Sequence, residues 1–170
     1  MKLVVAVDNE WGIGYKGELL ARVRADLKYF QSLTKGNVVI LGSKTLATFP
    51  GGKVLKDRTN IVLSRNRDYC PEGAIMARST ENLLEILKDY NSEDVFVIGG
   101  SQIYSLLLPY CDTAYVTKFH KSFEKDAYFE NLDASKDWVL AETSEEFVTN
   151  PETDTETDMK FTFCTYKRVN

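Results

Sequence analysis

The sequence predicts an α/β fold on a mixed, mostly parallel sheet, and three features of the chain predict it. Short apolar runs bounded by glycine, proline or charge recur along it: Leu3–Val7, Val38–Gly42, Asn60–Ser64, Val95–Gly100, Ala114–Phe119 and Met159–Arg168. The early runs are nearly unbroken in Val, Ile and Leu, as strands buried on both faces of a parallel sheet require. The last run alternates, which suits an antiparallel C-terminal strand. Helical periodicity fills the stretches between, and strand–helix alternation followed by strands alone reads as an α/β domain with a mixed sheet.

The helices follow from the spacing of apolar residues. Arg24–Leu33 places Leu27, Phe30 and Leu33 on one face. Thr80–Tyr90 groups Leu83, Leu84 and Leu87, with Thr80 as the expected N-cap. Ser101–Leu108 carries Ile103, Leu106 and Leu107 and stops at Pro109. A helix start after Gly42 makes about four helices flanking the sheet. The polar, acidic segment Asn150–Asp158 reads as a surface loop between two late strands.

A length of 170 residues fits one compact domain, residues 1–170. An apolar fraction of 44% supplies a core and a charged fraction of 27% covers it. The net charge of −4 leaves no broad basic face for nucleic acid or an anionic membrane. Cys70, Cys111 and Cys164 are odd in number and far apart, so free thiols in a reducing cytoplasm are expected rather than a disulfide frame. One histidine, His120, and no cysteine cluster argue against a metal site. The first apolar run is too short for a signal peptide or a membrane span.

Two junctions share a design that suits anions. Gly42-Ser43-Lys44-Thr45 and Gly99-Gly100-Ser101-Gln102 each carry a strand into a helix through glycine. Backbone N–H groups and the helix dipole then face outward at the strand's carboxyl end. Lys44 adds a point charge, and Leu63-Ser64-Arg65 offers a hydroxyl and a guanidinium at a third strand end. Three such ends fit a dinucleotide with an extra phosphate, NADP rather than NAD. Glycine after a strand equally serves a tight turn, and neither junction carries the G-x-G-x-x-G or Walker pattern.

Asp26 lies four residues before Phe30, at the edge of the apolar stripe of its helix. A carboxylate against apolar walls has its charged form disfavoured, which turns it into a proton donor near neutral pH. The alternative is an acid in a first helical turn, favoured there by the dipole and otherwise idle.

Taken together, these residues resemble the dihydrofolate reductase family along nearly the whole chain. Val5-Ala6-Val7 with Gly12-Ile13-Gly14 is similar to the family's first strand and the loop over the nicotinamide. Asp26, Leu27 and Phe30 resemble its acid and two pterin-pocket apolars, and Leu55 and Arg58 its pocket leucine and carboxylate-clamping arginine. Val97-Ile98-Gly99-Gly100 with Ile103-Tyr104 resembles the segment in which the family joins paired glycines by a cis peptide. Tyr115-Val116-Thr117 resembles the source of the threonine bonded to the acid, and Asp126 falls in the loop that follows.

The resemblance implies NADPH-dependent reduction of dihydrofolate by a cytoplasmic monomer that also binds antifolate inhibitors, with no nucleic acid, membrane or metal involved. It implies catalytic roles for Asp26 and Thr117, and pterin or tail contacts from Val4, Val5, Leu27, Phe30, Phe49, Leu55, Arg58 and Ile98. It implies cofactor contacts from Ala6, Ile13, Gly14, Gly42, Ser43, Lys44, Thr45, Leu63, Ser64, Arg65, Ile98, Gly99, Gly100, Ser101, Gln102, Ile103 and Tyr104. The chain departs from the family where many members read Leu-Pro-Trp-x-Leu-Pro before the acid and this one reads Leu19-Leu20-Ala21-Arg22-Val23-Arg24. Ser43 stands where an arginine often meets phosphate, and Ala127 where a threonine is frequent. Two rivals remain: a reductase of the same fold acting on a pyrimidine intermediate of riboflavin synthesis, and a non-catalytic NADPH- or RNA-binding protein. The pairing of Asp26 with Arg58 and the absence of a basic surface set the chain apart from both.

Overall fold

The computed structural model describes residues 1–169. In chain order the elements are β1 (Lys2–Val7), β2 (Gly12–Tyr15), β3 (Glu18–Leu19), α1 (Arg24–Thr34), β4 (Val38–Gly42), α2 (Ser43–Ala47), β5 (Thr59–Leu63), β6 (Ala74–Ala77), α3 (Thr80–Leu87), β7 (Val95–Gly99), α4 (Ser101–Leu107), β8 (Thr113–Phe119), β9 (Ala127–Tyr128), β10 (Trp138–Thr143), β11 (Phe147–Val148) and β12 (Lys160–Arg168). The main sheet runs β10-β12-β8-β1-β7-β4-β5-β6, with β11 paired to β12. From β8 to β6 every pairing is parallel. β12 is antiparallel to β8, β10 and β11. A second small sheet, β3-β2-β9, stands beside it.

The apolar runs form strands because both faces of the sheet are covered. All five residues of β4 are buried. Its alternate side chains feed two cores: Val38 and Ile40 join Leu3, Val5, Val97, Leu83 of α3 and Leu107 of α4, while Val39 and Leu41 join Leu46 of α2 and Val62. A third cluster gathers Ala21, Val23, Phe119, Met159 and Phe161 beneath the approach to α1.

One local expectation needs correction. The N-cap of α3 is Ser79, not Thr80: Ser79 is extended, and its hydroxyl accepts the Asn82 N–H at 3.0 Å. Asn82 Oδ1 returns the favour to the Arg78 N–H at 2.9 Å, so the two side chains cap reciprocally and Thr80 is left inside the first turn. Leu27 of α1 is 56% exposed, which leaves it free to meet a ligand. β10 has no clear sequence signal, because it is an edge strand with Val139 and Leu140 exposed and no alternation.

Asp8, just past β1, links the main sheet to the small one. Its carboxylate accepts the N–H groups of Gly12 at 2.8 Å, Glu10 at 2.9 Å and Phe123 at 3.0 Å, and pairs with Lys125 Nζ at 2.8 Å. Burial opposes its ionisation, but Lys125 and these amides outweigh burial and hold the carboxyl below its usual range. Among the described residues no helix is long and apolar enough to cross a membrane.

Because β4 carries both cores, its central residue is the most sensitive point of the sheet. Ile40 is 0% exposed, so Ile40→Ala is expected to lower unfolding free energy by about 2–5 kcal/mol in a urea titration followed by circular dichroism. A loss below about 1 kcal/mol would contradict this account of the core.

Candidate active site

A cleft of about 370 Å³ opens where the parallel strands end. Gly42, Leu63 and Gly99 are the last residues of β4, β5 and β7, and all three line it. The chain then turns into α2 and α4, whose N-caps are Gly42 and Gly100 and carry no side-chain cap. The first N–H groups of both helices are therefore open to a ligand, with Ser43, Lys44, Thr45, Ser101 and Gln102 around them. The two helix starts lie close together: a Cβ on Gly100 would sit 3.1 Å from Thr45 Oγ1, and one on Gly42 would sit 3.0 Å from Ile103 Cγ1. Gly99 has φ +126°, a conformation only glycine adopts readily, and the Gly99–Gly100 peptide is cis. This donor set fits the pyrophosphate of a dinucleotide.

The facing wall is the small sheet. Ile13 and Gly14 lie in it, together with Tyr15, Gly17, Glu18, Leu19, Asp126 and Ala127. The sequence reading missed Tyr15–Leu19. Its signal was the Lys16-Gly17 pair, both at positive φ (50° and 80°), which closes a two-residue hairpin between β2 and β3. Asp126 joins this hairpin to β9 by accepting the Lys16 N–H at 3.1 Å and donating its own N–H to Gly14 O at 3.0 Å.

Asp26 sits in the first turn of α1, and the Thr117 hydroxyl donates to its Oδ1 at 2.6 Å. Burial raises the carboxyl and the Thr117 hydrogen bond pulls part of that back, leaving it pushed up to about 6. Register sets where this happens. Thr117 of β8 pairs with Ala6 of β1, and Ala6 and Val5 line the cleft. The acid therefore lies one strand from the cleft. Tyr104, also in the cleft wall, donates its hydroxyl to Val4 O at 2.6 Å and so ties α4 to β1.

A second group adjoins the cleft without lining it. Arg58 lies 5.8 Å from the centre of the Phe30 ring, and its Nε donates to Thr34 Oγ1 at 3.1 Å. Leu55 and Phe49 pack with Ile98 against the β4–β5 core. Asn60, which the sequence reading did not single out, holds this loop in place. It is 2% exposed, its Nδ2 donates to Leu55 O and Arg58 O, and its Oδ1 accepts the Leu55 N–H. A lone amide inside an otherwise apolar strand was the available clue. Ser64 and Arg65 stand past the end of β5, outside the cleft lining. There the Ser64 hydroxyl accepts the Asn66 N–H at 3.2 Å, and Arg78 gathers the carbonyls of Asn66 and Tyr69.

Comparison with known proteins agrees with this geometry. The family model described as dihydrofolate reductase matches residues 1–168. The chain is 38% identical over 129 residues to a dihydrofolate reductase of Staphylococcus haemolyticus, covering 76% of this chain and 75% of that one. It is 36% identical over 160 residues to that of Sus scrofa, covering 85% and 86%. A solved Enterococcus faecalis dihydrofolate reductase, complexed with NADP(H) and RAB-propyl, superposes with a TM-score of 0.86 at 33% identity, covering 99% of this chain and 96% of that one. A match spanning both the fold and nearly every residue from first strand to last leaves one assignment: the chain belongs to the dihydrofolate reductase family.

Proposed function

We propose that the chain reduces 7,8-dihydrofolate to 5,6,7,8-tetrahydrofolate with NADPH, and so supplies one-carbon carriers for thymidylate, purine and amino-acid synthesis. The observation that carries this reading is the Asp26 carboxyl, bonded to Thr117, pushed up to about 6 and one strand from a dinucleotide-sized cleft. Residues 1–170 act as one domain and as a monomer, and three free thiols fit a reducing cytoplasm.

Within the proposed site, Thr117 holds Asp26 Oδ1 and leaves Oδ2 free for the amide edge of the pterin. Near neutral pH a fraction of Asp26 keeps its proton, and it promotes protonation at N5 directly or through water. Leu27, Phe30, Phe49, Leu55 and Ile98, with Val4 and Val5 of β1, give the pterin apolar walls that exclude water. Arg58, steadied by Thr34, clamps the α-carboxylate of the substrate tail with two parallel N–H groups. The open N–H groups of α2 and α4, with Thr45 and Ser101, hold the pyrophosphate, while Ser64, Arg65 and Lys44 hold the 2′-phosphate. When bound, the nicotinamide supplies the hydride that C6 receives. Antifolate inhibitors occupy the pterin walls in the same way.

The deciding assay is NADPH oxidation with dihydrofolate as the only acceptor. Turnover should fall as pH rises through about 6, the value at which Asp26 loses its proton. Asp26→Asn should abolish most turnover at pH 7 and less of it in acid, where solution protonates N5; near-normal turnover at pH 7 would end the proposal. The same variant should gain stability. A folded carboxyl raised from 3.8 to about 6 stabilises the protein below pH 4, and that contribution is lost as pH rises through 6. Asp26→Asn should therefore be more stable than its parent above pH 6, by about 3 kcal/mol at most, with the difference vanishing below pH 4.

Arg58→Leu should weaken dihydrofolate binding by about 1.5–3 kcal/mol and leave NADPH affinity unchanged. Equal weakening of both ligands would remove Arg58 from the tail clamp. Ser64→Ala combined with Arg65→Glu should raise the KM for NADPH at least about tenfold and that for NADH little, with the gap narrowing at high salt. Equal use of NADH and NADPH by the unmodified protein would refute the 2′-phosphate assignment.

A further inference from the structure

The acidic segment between β11 and β12 lies against the chain that enters α1. Val23, the N-cap of α1, supplies no side-chain cap. The orphan N–H of Arg24 is instead taken by Asp154 Oδ1 at 2.8 Å, from 130 residues away in sequence. Next to it the Arg22 N–H donates to Thr155 Oγ1 at 2.9 Å, and the Thr155 N–H donates to Arg22 O at 3.1 Å. These three bonds fasten residues 154–155 across residues 22–24.

The fastener is itself braced. Asp154 Oδ2 accepts the Asn150 N–H at 2.8 Å, and the Asp154 N–H donates to Asn150 O at 2.9 Å. Glu156 pairs with Lys121 in the connection after β8. Met159, 3% exposed, roots the segment's end in the cluster that also holds Ala21 and Val23. Asp154 thus gives Oδ2 to its own turn and Oδ1 to the first turn of α1, two residues before Asp26, with the Thr153 hydroxyl also donating to Oδ1 at 3.0 Å.

We propose that Asp154 is a positioning residue for the reaction. It is a cap supplied from outside the helix that fixes the first turn of α1 and so holds Asp26 against Thr117. This rests on the reading of Asp26 given above. The physical need is plain: without a cap the first turn frays, and a carboxyl in that turn moves with it.

The test uses the removable donor. Asp154→Ala should lower dihydrofolate turnover about five- to tenfold, the range set by losing one N-cap, with the NADPH dissociation constant within about twofold. In the ligand-free protein it should speed amide hydrogen exchange at Leu27, whose N–H donates to Val23 O at 3.0 Å and closes the first turn. Arg24→Pro deletes the N–H that Asp154 receives, at the helix position where proline is tolerated, after an extended Val23 (φ −122°, ψ 118°) that accepts a following proline. On the Arg24→Pro background, Asp154→Ala should change neither turnover nor exchange. Unchanged turnover and exchange in the single Asp154→Ala variant would overturn the proposal. So would an equal loss on the Arg24→Pro background, since Asp154 would then act through its own loop. Asp26→Asn run in parallel separates the two readings. If it keeps near-normal turnover, the role of Asp26 fails. If it is inactive while Asp154→Ala behaves as its parent, only the cap fails.

Discussion

The parallel pairing of β1 between β8 and β7 is the constraint on which the rest of the site depends. It sets Ala6 opposite Thr117, and so brings the partner of Asp26 beside a residue of the cleft wall. It also aligns the carboxyl ends of β7, β4 and β5, because these strands continue the same parallel set. Both glycine junctions therefore open on one edge. In open parallel sheets ligands bind at such carboxyl ends, where helix N-termini and loop backbones are free to donate. A slip of one residue between β1 and β8 would turn Thr117 to the other face and leave the acid without its hydrogen bond.

Two carboxylates show how environment assigns roles. Asp8 is wholly buried yet ionised, since Lys125 and three backbone amides meet it. Asp26 meets one hydroxyl, so burial dominates and its proton is retained to about 6. The first fastens the small sheet to the large one, and the second suits the proton-donating role proposed for it. A group that serves structure is saturated with donors, whereas a group that serves chemistry is left short of them.

The approach to α1 illustrates compensation. Where many family members place a proline at the start of this helix, this chain has Arg24 and an N–H that needs an acceptor. The acidic segment after β11 supplies one, and the same segment's Met159 packs under Ala21, where an indole is usual. A local departure is thus matched by a contact from a segment 130 residues away.

Much of the fold was legible because burial on both faces imposes continuous apolar runs: β1, β4, β5 and β7 stand where Val, Ile and Leu cluster, and α3 and α4 where leucines recur at helical spacing. The residues of the two glycine junctions were legible too, since a strand entering a helix through glycine leaves a local trace. What only the tertiary structure decided has no local trace. Asn60 is a strand residue in sequence and structure alike, but only the closed fold brings its amide to Leu55 and Arg58, and Tyr15–Leu19 became a cleft wall only once β9 paired with β2. Ser79 displaced Thr80 as a cap through a backbone angle the side chains do not announce. Asp154 reached Arg24 across 130 residues. Periodicity records which face of an element is buried, because every residue of that element is subject to it. A single hydrogen bond between distant segments involves one donor and one acceptor, and exists only after the chain has closed around them.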